Sequence, residues 1–254
     1  MVRTLMLAAM VGLFLSGPAR AQDWGEVKGQ VVWAGGKGAL KLPNLKVDKD
    51  VSHCLSKGPI PDEKFVINPK NLGLKDVFVY LAPLSDGPLP IHPDLKAIAK
   101  KQVELDQPCC RYIPRAFVLR VGQELLLKNT SPIQHNVKAD GKNIAGGGFN
   151  VLLPAGKSVA MSADKFKAER LPAAVACNIH PWMKAWLLVV DHPYATVTDE
   201  NGNFTIPKAP AGKYRLIAWQ EGCGWITGGR DGMVIEIKKG EPTVLPPLKA
   251  TDEE

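Results

Sequence analysis

Short apolar runs separated by turn residues dominate the sequence, and apolar periodicity of helical length is nearly absent. Two of these runs, residues 27–33 and 77–81, are rich in β-branched and aromatic side chains, which is typical of strands. The chain contains 24 glycines and 21 prolines, scattered rather than clustered. Residues that interrupt helices and strands therefore occur along the whole sequence. This pattern predicts an all-β fold built from many short strands.

Residues 177–183 read Cys-Asn-Ile-His-Pro-Trp-Met and carry three candidate metal ligands. Cys177, His180 and Met183 follow one another at intervals of three, so a short loop can turn a thiolate, an imidazole and a thioether towards one point. Upstream, residues 129–136 read Asn-Thr-Ser-Pro-Ile-Gln-His-Asn, and His135 supplies a second imidazole. Two His, one Cys and a weak axial Met form the ligand set of a blue-copper electron-transfer site.

These two segments resemble known copper-binding sequences. The loop Cys-x-x-His-Pro-aromatic-Met, followed by the apolar run 186–190, is similar to the copper loop of amicyanin. Residues 129–136 are similar to the segment that carries the first histidine of plastocyanin and amicyanin. The resemblance implies a Greek-key cupredoxin β-sandwich whose one copper ion is held by His135, Cys177, His180 and Met183. Zinc is the alternative metal for a Cys/His set, although Met is a poor zinc ligand.

The same resemblance implies roles for three neighbouring residues. Asn136 is expected to tie the histidine strand to the cysteine loop through hydrogen bonds. Pro181 and Trp182 are expected to cover the edge of His180 and to exclude water, which shapes the reduction potential. The patch formed by Pro181, Trp182 and His180 is then the expected docking surface for a redox protein, either a cytochrome or a dehydrogenase.

A different pattern follows the predicted copper domain. Residues 198–206 have the form of a hairpin, with a strand, an Asn-Gly turn and a strand, and residues 210–216 read Pro-Ala-Gly-Lys-Tyr-Arg-Leu. Together they resemble the carboxypeptidase regulatory-like module, a transthyretin-like β-sandwich. Strands at 25–31 and 77–81 match the opening of such a module, so we expect a smaller β-sandwich into which the copper domain is inserted. Two tandem domains are the alternative.

The N-terminus has the features of a secretory signal peptide, with Arg3 ahead of an apolar core and Ala-Arg-Ala as the cleavage site. That core is too short to span a bilayer, and no other segment has eighteen apolar residues in a row. We therefore expect a periplasmic or secreted protein without a transmembrane anchor. The expected parts are a signal peptide (1–21), the first part of the second β-sandwich plus a linker (22–99), the cupredoxin domain (100–190), the remainder of the sandwich (191–248) and a tail (249–254).

The formal charge of the chain is +7 at pH 7. It falls to +5 when the predicted signal peptide, which carries two arginines and no acid, is removed. This mildly basic balance favours an acidic partner or an anionic surface. The basic residues are dispersed, without the cluster interleaved with aromatics that single-strand binders need, so we expect no nucleic-acid partner.

The chain has five cysteines. If Cys177 binds metal, Cys54, Cys109, Cys110 and Cys223 remain, and an exported compartment permits disulfides between them. Cys109 and Cys110 are adjacent and can hardly pair with each other, which leaves 54–109 with 110–223, or 54–110 with 109–223. We favour 54–110 because Cys110 leads into a strand. The motif Cys-x-x-Cys-His is absent from the sequence, so no c-type haem is expected.

The function expected from these features is that of an exported type 1 copper protein, which carries electrons between periplasmic or extracellular redox partners. The sequence has no nucleophile–base pair or carboxylate pair arranged for hydrolysis, so we do not expect an enzyme. The alternative is a non-redox, secreted β-sandwich binding module whose cupredoxin domain stores or delivers copper. Met183, together with the apolar cover from Pro181 and Trp182, favours electron transfer.

Overall fold

The structure is a computed structural model that describes residues 22–36, 41–98, 101–142 and 144–252. The predicted signal peptide lies outside the described residues. Strands form most of the regular structure, and the prediction of an all-β chain is confirmed. In the described part of the chain, no helix has the length and apolar character needed to cross a membrane.

Within the described residues, short strands follow one another, interrupted by two one-turn helices and two 3₁₀ turns. In chain order the elements are β1 (Trp24–Trp33), α1 (Val51–Cys54), β2 (Phe78–Ala82), α2 (Pro93–Lys96), β3 (Gln102–Leu105), β4 (Ala116–Arg120), β5 (Glu124–Lys128), β6 (His135–Asp140), a 3₁₀ turn (Ala145–Gly147), β7 (Gly148–Leu153), β8 (Ser158–Met161), a 3₁₀ turn (Ala163–Lys165), β9 (Ala173–Ala176), β10 (Lys184–Val190), β11 (Ala195–Val197), β12 (Asn203–Pro210), β13 (Gly212–Gln220), β14 (Gly224–Trp225), β15 (Met233–Ile237), β16 (Pro242–Val244) and β17 (Leu248–Ala250).

The strands of the described ranges form four sheets. The first sheet has the order β12-β1-β16, with β17 also pairing with β1. The second has the order β11-β2-β13-β14, with β15 also pairing with β13. The third is β4-β10-β9-β6-β7, and the fourth is β3-β5-β8. Strands from both ends of the chain therefore pair with each other, since β1 is antiparallel to β12 and β2 is antiparallel to β13.

Three buried clusters lie between these sheets and order them as successive layers. The first and second sheets enclose a cluster that includes Val31, Leu81 and Leu216. The third and fourth sheets enclose another, which includes Leu127 and Leu187. The third cluster lies between the second and third sheets and joins the two sandwiches. Its buried members are Phe78, Tyr80, Ala116, Leu188, Val190, Ile217 and Trp219.

The alternation of side chains explains why two predicted strands read as continuous apolar runs. In β2, Phe78 and Tyr80 face the cluster that joins the sandwiches, whereas Val79 and Leu81 face the core of the first sandwich. In β10, alternate residues divide in the same way between the joining cluster and the core of the second sandwich. A strand covered on both faces gains from apolar residues at every position, so these runs mark the middle layers.

The predicted hairpin over residues 198–206 is wrong. The turn forms, since the Asp199 carbonyl accepts from Gly202 N–H at 3.0 Å and Gly202 has φ +74°. However, β11 pairs with β2 in the second sheet, and β12 pairs with β1 in the first. The turn therefore carries the chain from one sheet to the other across the core.

Candidate metal centre

The predicted ligands lie at the ends of neighbouring strands of the third sheet. β6 begins at His135, and β9 ends at Ala176, immediately before Cys177. These two strands are antiparallel, with Lys138 opposite Ala176. The loop that follows β9 consequently runs beside the start of β6, which brings residues 177–180 next to His135.

His135, Cys177 and His180 converge in the interior. The two Nδ1 atoms of His135 and His180 are 2.9 Å apart, and Cys177 Sγ lies 3.9 Å from His180 Nδ1. The three ligand atoms all lie within 4.8 Å of one another, and none of the three residues is more than 2% exposed. The structure thus brings a thiol and two imidazoles together, although the two histidines are 45 residues apart in the chain.

Backbone bonds close the loop that carries Cys177 and His180. Met183 N–H donates to the His180 carbonyl at 2.9 Å, and Cys177 N–H donates to the Met183 carbonyl at 3.3 Å. The His180 N–H points to Cys177 Sγ at 3.4 Å. Met183 is 1% exposed and belongs to the same buried cluster as Cys177.

The Asn136 side chain joins the histidine strand to the cysteine loop. Its Oδ1 accepts from Asn178 N–H at 2.7 Å and from Ile179 N–H at 3.3 Å, and the Cys177 Sγ lies 3.3 Å away. Its amide nitrogen donates to Asn150 Oδ1 at 2.7 Å. With these bonds, one side chain fixes the start of the loop relative to β6 and β7.

Burial keeps the first histidine in the form that a metal requires. It lowers the pKa of His135 to about 4, and the nearby His180 acts in the same direction. At neutral pH His135 is therefore an uncharged imidazole, which is the ligating form. The Nδ1 atoms of His135 and His180 face each other at 2.9 Å, so these two nitrogens would hold a metal ion between them.

The outer edge of His180 is covered by a segment that the sequence did not associate with the site. His180 Nε2 lies 2.8 Å from Asp50 Oδ2. The covering segment comes from the stretch between β1 and β2, and Cys54 in α1 is bonded to Cys110. Asp50 was missed because no local motif marks it, although a 54–110 disulfide already implies that this stretch reaches the copper domain.

Trp182 covers a second side of the same imidazole. Its ring centroid is 5.1 Å from that of His180, and its indole N–H donates to the Cys110 carbonyl at 3.2 Å. Trp182 is 9% exposed, and His180 is fully buried. Of the three residues expected to form a docking patch, Pro181 alone is exposed, because the segment around Asp50 and Cys110 packs over the other two.

The expected pair of disulfides is correct for one bond and wrong for the other. Cys54 and Cys110 form a disulfide, whereas Cys109, Cys177 and Cys223 are outside any disulfide. The predicted 109–223 bond fails because Cys223 packs in the core of the first sandwich, while Cys110, next to Cys109, packs in the core of the second. The Cys54, Cys110 and His180 ligand atoms also approach one another, but a disulfide offers no thiolate to a metal.

The fold and the site define an all-β protein with a buried Cys/His₂ group able to bind a metal ion. Residues 183–245 match the family model described as polysaccharide lyase family 4, domain II. This is not the carboxypeptidase regulatory-like module that the sequence resembles, and the match covers only one strand of the third sheet, β10, and part of the first sandwich. No curated protein sequence matches the chain.

Solved structures similar to the chain include several copper proteins. A point mutant of amicyanin in its Cu(I) form is 15% identical, with 36% of this chain and 85% of that chain covered and a TM-score of 0.31. A purple cupredoxin from Nitrosopumilus maritimus is 19% identical, with 34% and 97% covered and a TM-score of 0.28. The copper-containing nitrite reductase from Thermus scotoductus SA-01 is 18% identical, with 42% and 25% covered and a TM-score of 0.31. The likeness is partial in every case.

Proposed function

We propose that the protein is an exported copper protein that carries single electrons between redox partners. The observation that carries the proposal is the convergence of the buried residues His135, Cys177 and His180, with Met183 in the same core cluster as Cys177. Imidazole, thiolate and thioether groups suit copper in both of its common oxidation states. The presence of Met183 favours copper over zinc, since structural zinc sites use Cys, His and carboxylate ligands.

The residues of the site would bind and orient the ion without a catalytic step. A bound copper ion would supply a one-electron couple. His135 and His180 would present their Nδ1 atoms, and Cys177 would present its sulfur, from positions that hydrogen bonds already fix in the protein. Since side chains held in place move little between oxidation states, this rigidity suits an electron carrier rather than an enzyme.

The remaining expectations follow from the same function. The predicted signal peptide and the Cys54–Cys110 disulfide support a periplasmic or secreted location, where disulfides persist. The partner would be a redox protein such as a cytochrome or a dehydrogenase. Pro181 is exposed and Trp182 contacts the His180 ring, so a partner would approach from the Pro181 side.

Copper storage or delivery is the second candidate function. Complete burial of His180 and its contact with Asp50 support it. Covering the imidazole slows electron exchange with a partner, but it does not weaken the retention of a bound ion. The two functions differ in what happens to the bound ion. A carrier keeps copper through repeated oxidation and reduction, whereas a delivery protein transfers it to an acceptor.

The proposal is tested by loading the processed protein with one equivalent of Cu(II) and recording its visible spectrum. We expect an intense thiolate-to-copper charge-transfer band that disappears in Cys177→Ser. Cys223→Ser is the matched control, because Cys223 is also a buried cysteine but lies in the other sandwich core, and it should keep the band. A colourless copper complex of the unmutated protein would refute the proposal.

The role of Met183 as a copper ligand can be tested in the same way. Met183→Leu should keep the band and raise the reduction potential, since the thioether is a weak ligand that tunes the potential. Loss of copper in this variant would show that Met183 has a structural role instead. Mixing the reduced protein with an oxidised cytochrome then separates the two functions, because a carrier reduces the cytochrome and retains its copper, whereas a delivery protein leaves the cytochrome oxidised.

A further inference from the structure

Asp50 makes a contact with the candidate metal centre that the four expected ligands do not account for. Its carboxylate Oδ2 lies 2.8 Å from Nε2 of His180, on the side of the ring opposite Nδ1. The His180 side chain is completely buried, whereas the Asp50 side chain reaches the surface. Asp50 therefore separates the imidazole from solvent and occupies its outer nitrogen.

The first turn of α1 and the disulfide that follows it hold Asp50 in this position. Its carbonyl accepts from His53 N–H at 3.0 Å and from Cys54 N–H at 2.9 Å, at the start of α1. Cys54 is bonded to Cys110, and both sulfurs are buried in the core that contains Cys177. Asp50 has a left-handed backbone, with φ +48° and ψ +36°, a conformation that Asp and Asn accept more readily than most residues. The aspartate is thus anchored four residues from a disulfide.

This contact selects the tautomer of His180. A carboxylate can only accept a hydrogen bond, so Nε2 must carry a proton, and in the neutral ring Nδ1 then presents its lone pair. Nδ1 is the atom that faces His135 Nδ1 and Cys177 Sγ. Metal-binding histidines often donate their second N–H to a carboxylate, which fixes the ring and makes the ligand more basic. The negative charge also favours the more positive oxidation state of a nearby ion.

We propose that Asp50 is a positioning residue of the metal centre, which fixes His180 with Nδ1 towards the ion and lowers the reduction potential. The second half of this inference rests on the proposed copper function, whereas the first half does not need it. Cys54 and Cys110 then have a part in the site, since their disulfide holds Asp50 against the ring.

Two variants test the proposal. Asp50→Asn removes the charge and keeps an amide oxygen that can accept from Nε2, and it suits the left-handed backbone. Asp50→Gly removes the acceptor altogether, and glycine adopts positive φ without strain. Asp48→Asn is the matched control, because Asp48 lies two residues away, is exposed and pairs with Lys46 rather than with a histidine.

The first measurement is made on the metal-free protein. Long-range ¹H–¹⁵N correlation spectra report which nitrogen of His180 carries the proton. We expect the Nε2–H form in the unmutated protein, in Asp48→Asn and in Asp50→Asn, and a mixture of both forms in Asp50→Gly. An unchanged Nε2–H signature in Asp50→Gly would overturn the positioning role.

The second measurement uses the copper-loaded protein. For Asp50→Gly we expect a loss of roughly 10–100-fold in Cu(II) affinity, the usual effect of removing a hydrogen-bond partner of a ligand. For Asp50→Asn we expect Cu(II) to lose more affinity than Cu(I), and each tenfold change in their ratio raises the potential by ~59 mV. An unchanged potential in both variants would overturn the electronic part. If the unmutated protein gives no charge-transfer band, the copper function fails, and the tautomer result still decides whether Asp50 positions His180.

Discussion

The buried ion pair between Arg115 and Glu221 should be one of the strongest polar contacts between the two sandwiches. Arg115 immediately precedes β4 in the third sheet, and Glu221 immediately follows β13 in the second. Arg115 Nε donates to Glu221 Oε1 at 2.8 Å, and the side chains are only 9% and 10% exposed. Replacing Arg115 by Met leaves a carboxylate without its partner in a largely buried position.

The expected loss follows from the cost of that unpaired charge. Removing one member of a buried pair typically costs about 3–5 kcal/mol. Both residues line a cavity of ≈ 480 Å³ that can admit water, which places the expected loss for Arg115→Met near the lower end, at about 3 kcal/mol. Replacing both residues by Met removes the buried charges together, and the double variant should lie within about 1.5 kcal/mol of the unmutated protein.

Urea denaturation followed by tryptophan fluorescence measures these losses, since Trp186 and Trp219 lie in the same region with ring centroids 4.8 Å apart. Lys239→Met is the matched control. Lys239 pairs with Asp23 at the same 2.8 Å, but the two side chains are 72% and 46% exposed, so its loss should stay below about 1 kcal/mol. Additive losses in the Arg115/Glu221 cycle, or a loss under about 1 kcal/mol for Arg115→Met, would refute the reasoning.

Two further perturbations act on single features of the fold. The Cys54–Cys110 disulfide joins residues 56 apart. The free energy of unfolding of the Cys54→Ala/Cys110→Ala variant should therefore be lower by about 4 kcal/mol, because its unfolded chain has greater entropy. A loss below about 1 kcal/mol in urea denaturation would contradict this. Burial lowers the pKa of His192 from 6.5 to about 4. Between pH 6.5 and 4, His192 therefore gains a proton in the unfolded chain but not in the native protein. The free energy of unfolding should fall by up to ~3 kcal/mol over that range. His192→Asn keeps an acceptor for Tyr194 N–H and should remove this part of the pH dependence in denaturation curves; an unchanged slope would count against it.

Strand positions were predictable where a local apolar pattern follows directly from the burial of the strand. The apolar runs that became β2 and β10 are continuous because both faces of each strand are buried. The Asn-Gly turn near Gly202 was also recognisable, yet the pairing of its flanking strands was predicted wrongly. Turn chemistry fixes the local reversal of the chain, whereas the choice of sheet depends on partners far away, such as β1 for β12 and β2 for β11.

The metal-binding group was predictable for a similar reason, since the spacing of Cys177 and His180 constrains a short loop regardless of the remainder of the chain. Asp50 was not predictable in this way. It lies 130 residues before His180, and a single aspartate in a polar stretch has no pattern that distinguishes it. The predicted 109–223 disulfide was wrong on the same ground, because no local pattern shows that Cys223 packs in the core of the first sandwich, whereas Cys110, next to Cys109, packs in the core of the second.

The cover over His180 depends on both sandwiches at once. Residues 41–75 leave the first sheet after β1 and return to the second sheet at β2, so the first sandwich fixes both ends of this segment. The disulfide to Cys110 fixes its middle against the second sandwich. Movement of one sandwich away from the other would strain the two ends of the segment, whereas the disulfide would keep Asp50, four residues before Cys54, beside the imidazole. The cover over His180 therefore depends first on the Cys54–Cys110 bond, and opening that bond should expose His180 more readily than weakening contacts between the sandwiches such as the Arg115–Glu221 pair.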